Sequence, residues 1–272
     1  MLANEQDYVF RQRYPERGAI YVRFDVASAD LRRQTKGLLD LPYGDHPRCR
    51  FDLFPGEAHA PLVVFIHGGY WQSLSKDRYS FVAAPFLKQG MSVALLGYPL
   101  SPDATIAEIQ THILSGLDAI FEALDAQERR PRVWAITGHS AGGHLAACAA
   151  RLWKGPLPKL CGLVPISGLF DLEPLIETSV NEALGLDRDT ARALSPLFHS
   201  PMDVPLTAVV GAAETSGFLI QTERFLDRYR RAGRNDVRLV LLPEANHYSI
   251  LLDFLQPHSI IAEAVAELCY RR

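Results

Sequence analysis

The stretch that most restricts the fold begins at residues 133–137, an apolar run that leads directly into the sequence GHSAGG at residues 138–143. An alanine-rich helical pattern follows over residues 141–153. A Gly-x-Ser-x-Gly motif between a strand and a helix places its serine at a sharp, strained turn. Its glycines let the strand and the helix pass close together. We therefore predict that the Ser140 hydroxyl stands above the end of a buried strand, at the start of a helix.

Short apolar segments alternate with amphipathic ones along the rest of the chain. Strands are predicted at residues 51–54, 62–66, 92–96, 133–137, 162–166, 206–210 and 237–242. Helices are predicted at residues 77–89, 105–127, 141–153, 218–231 and 257–270, the second with its N-terminal cap in residues 101–103. Apolar strands separated by helices indicate the α/β class, with a mostly parallel central sheet and helices on both faces. Residues 168–204 depart from this pattern and are predicted to form a small partial cap within a single domain of residues 1–272.

The composition excludes several classes of function. Of the 272 residues, 48% are hydrophobic and 22% are charged, and the formal net charge is -3. Because the sequence has no basic block, we expect no nucleic-acid partner. No apolar run reaches the length of a membrane span, and the polar first residues do not look like a signal peptide. We therefore expect a cytoplasmic protein that acts on a small molecule without a membrane partner, and a homodimer is compatible with the sequence.

A serine nucleophile needs a base. Where a serine occupies such a strand-to-helix turn, an acid and then a histidine follow it along the chain. His247 comes directly after the last predicted strand and is the predicted base. His199 and His258 are the alternatives, although the first precedes the strand that should carry the acid and the second lies in the predicted terminal helix. The histidines beside the glycine-rich motifs are predicted to be hydrogen-bonded framework residues: His67, His139 and His144.

The predicted acid follows the strand that precedes the one leading to His247. That strand, residues 206–210, leads to Glu214. A carboxylate at this position would hold the imidazole in one tautomer and stabilise the imidazolium ion. Asp203 and Asp171 remain alternatives for the same role.

A second glycine-rich turn, HGGYW at residues 67–71, ends the predicted strand at residues 62–66. Serine catalysis at such a turn requires a second oxyanion donor from the loop after an earlier strand. We therefore predict an oxyanion hole made by the backbone amides of Gly69, Tyr70 and Ala141. The side chains of Tyr70 and Trp71 are predicted either to pack in the core or to form an aromatic wall that binds substrate.

These motifs resemble those of the arylformamidases, or kynurenine formamidases, of the α/β-hydrolase fold. The matching stretches are LPYGD (41–45), HGGYWQSLSKD (67–77), GHSAGGHLAA (138–147), ISGLFDLEPLIETSVNEAL (166–184), LSPL (194–197) and NHY (246–248). The third stretch contains an element that many esterases share. The second and fourth stretches are much more specific to the family, and the resemblance extends from about residue 40 to near the end of the chain.

The resemblance implies hydrolysis of N-formyl-L-kynurenine to L-kynurenine and formate in tryptophan degradation, by a serine triad without a metal or an organic cofactor. It assigns the nucleophile to Ser140, the base to His247 and the oxyanion loop to residues 68–70. Animal members of the family carry Asp where Glu214 aligns, and Glu can perform the same role with a longer side chain. Two alternatives stay open: a carboxylesterase for small acyl esters with the same machinery, and a binding protein that has lost catalysis on this fold.

Overall fold

The computed structural model describes residues 4–155 and 158–271. In this part of the chain, eight strands form one sheet: β1 (Leu38–Pro42), β2 (Arg50–Phe54), β3 (Leu62–Ile66), β4 (Ser92–Leu96), β5 (Val133–His139), β6 (Lys159–Ile166), β7 (Leu206–Gly211) and β8 (Val237–Leu242). Their spatial order is β1-β2-β4-β3-β5-β6-β7-β8. Pairing is antiparallel between β1 and β2 and between β2 and β4, and parallel from β4 to β8. The predicted, mostly parallel sheet is therefore confirmed.

Helices cover both faces of this sheet. The α-helices of the described residues are α1 (Glu5–Tyr8), α2 (Arg17–Gln34), α3 (Ala84–Leu87), α4 (Ile106–Asp125), α5 (Ala141–Leu152), α6 (Asn181–Leu184), α7 (Arg188–Leu194), α8 (Ser216–Arg231) and α9 (Ile260–Tyr270). Short 3-10 helices span Lys76–Ala83, Glu173–Leu175, Pro196–Phe198 and Ser249–Leu255. Helices α4 and α5 contact each other in one layer, and α3 and α9 contact each other in another. No helix in the described ranges is long and apolar enough to cross a membrane.

The central strands are buried because both of their faces are covered. Every residue of β3 and of β4 is buried. Such strands carry apolar side chains at successive positions instead of alternating them with polar ones. This is why β3 and β4 begin and end at their predicted residues. The edge strand β8, which is only partly buried, also has its predicted bounds, and the other predicted strands are slightly shorter than the observed ones.

Several of the predicted helix boundaries differ from the observed ones, three of them for identifiable reasons or by more than two residues. The predicted helix at residues 77–89 is a 3-10 helix, Lys76–Ala83, followed by the single turn α3. Pro85 lies at the start of that turn and cannot donate a backbone hydrogen bond, which interrupts a continuous α-helix. The cap of α4 is Thr105, which exchanges hydrogen bonds with Glu108 in a capping box, and not residues 101–103. Helix α9 begins at Ile260 after the cap residue Ser259, and the predicted start at residue 257 lies outside it.

Two segments outside the alternating pattern lie over the end of the sheet where β3, β5, β7 and β8 terminate. One is the N-terminal segment that contains α1 and α2, which the sequence did not predict to be helical. The other is the predicted excursion at residues 168–204, which consists of short helices joined by turns. The two segments contact each other, since the Glu5 carboxylate accepts hydrogen bonds from the backbone amide (2.9 Å) and the hydroxyl (2.6 Å) of Ser179. Together they cover a cavity at this end of the sheet.

Candidate active site

Ser140 lies at the turn between β5 and α5, as predicted. Its backbone has φ 57° and ψ -119°, a sparsely populated conformation for a residue with a side chain. The turn is held by two hydrogen bonds: the Ser140 amide donates to the carbonyl of Ile166 at 2.8 Å, and its carbonyl accepts from the Gly143 amide at 2.8 Å. A Cβ atom at Gly142 would lie 2.1 Å from the carbonyl oxygen of Ile66, so only glycine lets the helix start this close to β3.

His247 follows β8, and its side chain contacts the carboxylate of Glu214. The distance between His247 Nδ1 and Glu214 Oε2 is 2.8 Å, and both residues are buried. A carboxylate accepts hydrogen bonds, so Nδ1 carries the proton and Nε2 is left as the basic nitrogen. The His247 ring packs against two aromatic rings. Its centroid lies 4.8 Å from that of Phe10 and 4.3 Å from that of Phe218. The imidazole is therefore fixed in both tautomer and orientation.

Both oxygens of the Glu214 carboxylate have hydrogen-bond donors. Oε1 accepts from the hydroxyl of Ser167 and from the backbone amide of Gly211, the latter at 3.3 Å. Ser167 follows β6 and has φ 49°, which is unusual for a residue other than glycine. Ser167 was not predicted from the sequence to belong to the site. The available signal was its position directly after β6, the strand between those that lead to Ser140 and to Glu214.

The loop after β3 brings two further backbone amides to the same place. Gly69 has φ 113°, and an added Cβ would lie 2.2 Å from the carbonyl oxygen of Ser73. Within the described residues, the amides of Gly69 and Tyr70 have no hydrogen-bond acceptor. Ala141 is the first residue of α5, where backbone amides lack an acceptor within the helix. The three predicted oxyanion donors are thus free to bind an anionic oxygen.

A cavity of about 420 Å³ opens onto Ser140, His247 and Gly69. Its lining is rich in aromatic side chains from the N-terminal segment, the loop after β3 and the region around His247. These are Tyr8, Phe10, Tyr21, Phe24, Tyr70, Tyr79 and Tyr248. The N-terminal aromatic residues were missed at the sequence level, although Tyr8, Phe10 and Tyr14 recur in an otherwise polar segment.

The structure places the two aromatic residues of the HGGYW turn differently. Tyr70 lines the cavity, and its hydroxyl donates to the carbonyl of Tyr8 at 2.7 Å. Trp71 is fully buried and packs edge-on against His144, with ring centroids 5.0 Å apart. It is not among the described residues that line the cavity. Both residues have left-handed backbone conformations, with φ 53° and 57°, and this turn directs the two rings to different surroundings.

The predicted framework histidines are buried and neutral. Burial lowers the pKa of His67 to about 3 and that of His144 to about 4. Burial, together with the nearby His247, lowers the pKa of His139 well below its usual range. His139 Nε2 donates to the backbone carbonyl of His247 at 2.9 Å, so it supports the residue predicted to be the base. His144 Nε2 donates to the carbonyl of Leu194 at 2.9 Å.

The alternative histidines and acids lie away from this cavity. His199 donates to the carbonyl of Ala193 at 2.8 Å, and the His258 side chain is 92% exposed. Asp171 pairs with Arg224 at 2.7 Å. Asp203 is exposed and pairs with Arg234. None of these four residues is among the described residues that line the cavity or contact His247.

A cluster of carboxylates on β1, β2 and the 3-10 helix Lys76–Ala83 has the donor atoms of a cation site. It consists of Asp40, Asp52 and Asp77. The ammonium group of Lys76 lies among them, 2.6 Å from Asp40, 2.6 Å from Asp52 and 2.9 Å from Asp77. The cluster therefore binds a cation that the chain itself provides, and we assign no metal to it.

Comparisons with known proteins find hydrolases. The BD-FAE family model matches residues 54–156. The kynurenine formamidase of Danio rerio is 29% identical over 253 residues, which cover 87% of this chain and 83% of the relative. The isoprenylcysteine alpha-carbonyl methylesterase ICME of Arabidopsis thaliana is 34% identical over 112 residues, 40% of this chain and 26% of that protein. Among solved structures, a candidate thioesterase from Silicibacter sp. tm1040 has a TM-score of 0.88 and 29% identity, covering 98% of this chain and 100% of its own.

Proposed function

We propose that the chain, an arylformamidase-like serine hydrolase of the α/β-hydrolase fold, hydrolyses N-formyl-L-kynurenine to L-kynurenine and formate in tryptophan degradation. The observation that carries this proposal is the similarity to a kynurenine formamidase over 87% of the chain. The cavity supports it, since the aromatic residues of its lining provide surfaces on which an aryl leaving group can stack.

In the proposed first step, Ser140 Oγ attacks the formyl carbon while His247 Nε2 takes the hydroxyl proton. The carbonyl oxygen becomes an oxyanion, which the amides of Gly69, Tyr70 and Ala141 stabilise. Loss of one such donor typically raises the barrier by ~3 kcal/mol. The imidazolium of His247 is stabilised by Glu214, whose carboxylate lies 2.8 Å from Nδ1.

In the second step, His247 transfers that proton to the aryl nitrogen, the C–N bond breaks, and the amine leaves as a neutral group. The formyl group remains as an ester on Ser140. A water molecule then gives a proton to His247 and attacks the ester, and formate leaves as Ser140 regains its proton. An aryl amine is a better leaving group than an alkyl amine, which is why machinery of the esterase type can cleave this amide.

A carboxylesterase acting on small acyl esters is the second candidate function. The match to the Arabidopsis methylesterase, limited to 40% of the chain, favours it. The same three catalytic side chains and the same amides would serve an ester, because the acyl-enzyme chemistry is shared. The two candidates differ in the leaving group that the cavity binds.

The test compares kcat/KM for N-formyl-L-kynurenine and for p-nitrophenyl acetate on the purified wild-type enzyme at one pH. We expect the formamide to have the higher kcat/KM, although the ester is chemically more reactive, because its leaving group fills the aromatic cavity. Negligible turnover of the formamide together with rapid hydrolysis of the ester would replace the formamidase proposal with the carboxylesterase.

A further inference from the structure

The permanently charged side chains described in the cavity lining are all positive. Among the described residues that line it, Arg11 and Arg17 carry a permanent charge, and the lining contains no Asp, Glu or Lys. Glu214 is not part of the lining, and its carboxylate accepts hydrogen bonds from His247 and Ser167. A cavity with two guanidinium groups and no acid has a positive potential, which favours an anionic ligand.

Neither guanidinium group forms an ion pair with a carboxylate of the described residues. Within the described ranges, no carboxylate lies within 4.0 Å of Arg11 or Arg17 to form an ion pair with it. The acidic residues of the same N-terminal segment bind elsewhere. The Glu5 carboxylate accepts a hydrogen bond from Ser179. The Asp7 carboxylate accepts one from Ser216 at 2.7 Å, and the Glu16 carboxylate accepts one from Asn246 at 2.7 Å.

The two arginines occupy different depths. Arg11 is exposed, whereas Arg17 is half-buried. The Arg17 guanidinium lies over the ring of Tyr248, 5.8 Å from its centroid. The guanidinium also forms a hydrogen bond with the Tyr248 hydroxyl, which opposes the increase that burial causes in the pKa of Tyr248. These contacts restrain the Arg17 side chain, and a guanidinium has five N–H donors, so others remain for a ligand. Tyr248 directly follows His247, and Arg17 and His247 line the same cavity.

We infer that Arg11 and Arg17 form a carboxylate-binding subsite that selects substrates with an anionic group on the leaving-group side of the scissile bond. A guanidinium presents parallel N–H donors that match the two oxygens of a carboxylate. Under the proposed function, on which this identification of the ligand rests, the bound group is the α-carboxylate of the kynurenine moiety. Neutral esters and formamides have no carboxylate to pair with the two guanidinium groups.

The first test separates the subsite from the identity of the natural substrate by using a pair of esters. 3-Acetoxybenzoate carries a carboxylate on its leaving group, and methyl 3-acetoxybenzoate is its neutral counterpart. For the Arg11→Gln/Arg17→Gln enzyme, we expect the ratio of kcat/KM for the anionic ester to that for the neutral ester to fall about tenfold or more, through KM. Raising the salt concentration should raise KM for the anionic ester on the wild type and have a smaller effect on the double variant.

Arg13→Gln is the matched control, because Arg13 belongs to the same segment, is exposed, and does not line the cavity. Its ratio should equal that of the wild type. Arg17→Lys should recover only part of the preference, since Lys keeps the charge but lacks the paired donors. Thermal melting of each variant checks that it is folded.

The second test requires no turnover. Binding of L-kynurenine and of L-kynurenine amide to the Ser140→Ala enzyme is measured by calorimetry, with and without the two arginine substitutions. The carboxylate should bind about tenfold more tightly than the amide, and only when both arginines are present.

An unchanged ester ratio in the folded double variant, or equal binding of kynurenine and its amide, would overturn the subsite. Failure of the wild type to hydrolyse N-formyl-L-kynurenine would instead overturn the proposed function, and the ester pair would still decide whether the arginines select anions.

Discussion

Glu214 Oε2 lies 2.8 Å from Nδ1 of His247, and both side chains are almost completely excluded from solvent. The other oxygen of the carboxylate accepts from Ser167, which fixes the plane of the carboxylate. Acid and base are thus oriented together, with the free imidazole nitrogen left to accept the proton of a nucleophile. Neither partner can rotate without breaking a buried hydrogen bond.

Glu214→Gln should reduce kcat by about 10³- to 10⁴-fold, because the amide preserves the packing but removes the charge that stabilises the imidazolium. The measurement is kcat for the better of the two substrates, with circular dichroism as a check on folding. Asp171→Asn and Asp203→Asn are the controls, and each should retain most of the activity. A nearly normal rate in Glu214→Gln, next to an inactive Asp171→Asn or Asp203→Asn enzyme, would transfer the role of the acid.

Ser140→Ala should lower the rate of hydrolysis by about 10⁴-fold or more, since the remaining donors and the cavity cannot replace a covalent nucleophile. The strained turn of Ser140 is retained in the variant, so its stability should change little. A fluorophosphonate probe should label the wild type and not the variant, as measured by intact-protein mass spectrometry. A folded Ser140→Ala enzyme that keeps its activity contradicts the mechanism.

Gly69→Ala should lower kcat by about 10²- to 10³-fold, because the loop must move and its two amides then miss the oxyanion. Two features force this movement: φ is 113°, and the new Cβ would meet the Ser73 carbonyl oxygen at 2.2 Å. Gly185→Ala is the control, since Gly185 also has a positive φ, 61°, but has no atom within 4 Å of an added Cβ and lies outside the cavity lining. Equal activities of the two variants would exclude the loop as the oxyanion site.

Stability should fall as the pH decreases below about 6.5, the ordinary pKa of an unfolded histidine. The buried His67, His139 and His144 have lowered pKa values, so the native state keeps them neutral while the unfolded state takes up protons. Each contributes a loss of up to ~1.4 kcal/mol per pH unit, which continues down to about pH 4 for His144 and about pH 3 for His67.

Urea denaturation between about pH 7 and pH 5 measures this slope before most carboxylates titrate. His144→Gln should reduce the slope by about one third, because one of the three proton-binding groups is removed. His258→Gln is the surface control, since that side chain is 92% exposed. A slope that is the same in wild type and His144→Gln would show that His144 is not neutral in the native state.

Seven of the eight described strands could be read from the sequence because they contain short apolar runs, whereas the edge strand β1, with four of its five residues exposed, was not predicted. Residues 62–66 and 92–96 are apolar or small at each position, and their ends are marked by Pro61, Gly68 and Gly97. The N-terminal helix α2 could not be read in the same way. Its valines, Val22 and Val26, are exposed, while Phe24 is buried, so its apolar residues do not define one face.

The positions of Ser140, Glu214 and His247 followed from strand order, because parallel strands end at one edge of the sheet. The residues that surround these three could not be predicted from strand order. The contact between Phe10 and His247 joins the two ends of the chain, and no local pattern encodes it. Nor can a sequence show that Trp71 packs under the loop while Tyr70 faces the cavity, since this depends on the left-handed turn at both residues.

The Lys76 cluster lies away from the cavity and should contribute mainly to stability. Asp52 is completely buried on β2 and accepts from Lys76 at 2.6 Å and from Arg32 at 2.7 Å. Burial lowers the pKa of Lys76, but hydrogen bonds from its ammonium group to Asp40, Asp52 and Asp77 outweigh that effect and raise it. Lys76 is therefore charged in the folded protein.

Lys76→Met should lower the free energy of unfolding by about 3–5 kcal/mol, because it leaves the buried carboxylate of Asp52 with only one of its two cations. The measurement is urea denaturation at neutral pH. Lys76→Met/Asp52→Leu should be more stable than Lys76→Met, since removing both buried charges avoids an uncompensated one. Arg231→Met is the control, because its ion pair with Asp227 is largely exposed and should be worth less than ~1 kcal/mol. If Lys76→Met is as stable as Arg231→Met, the cluster does not stabilise the fold.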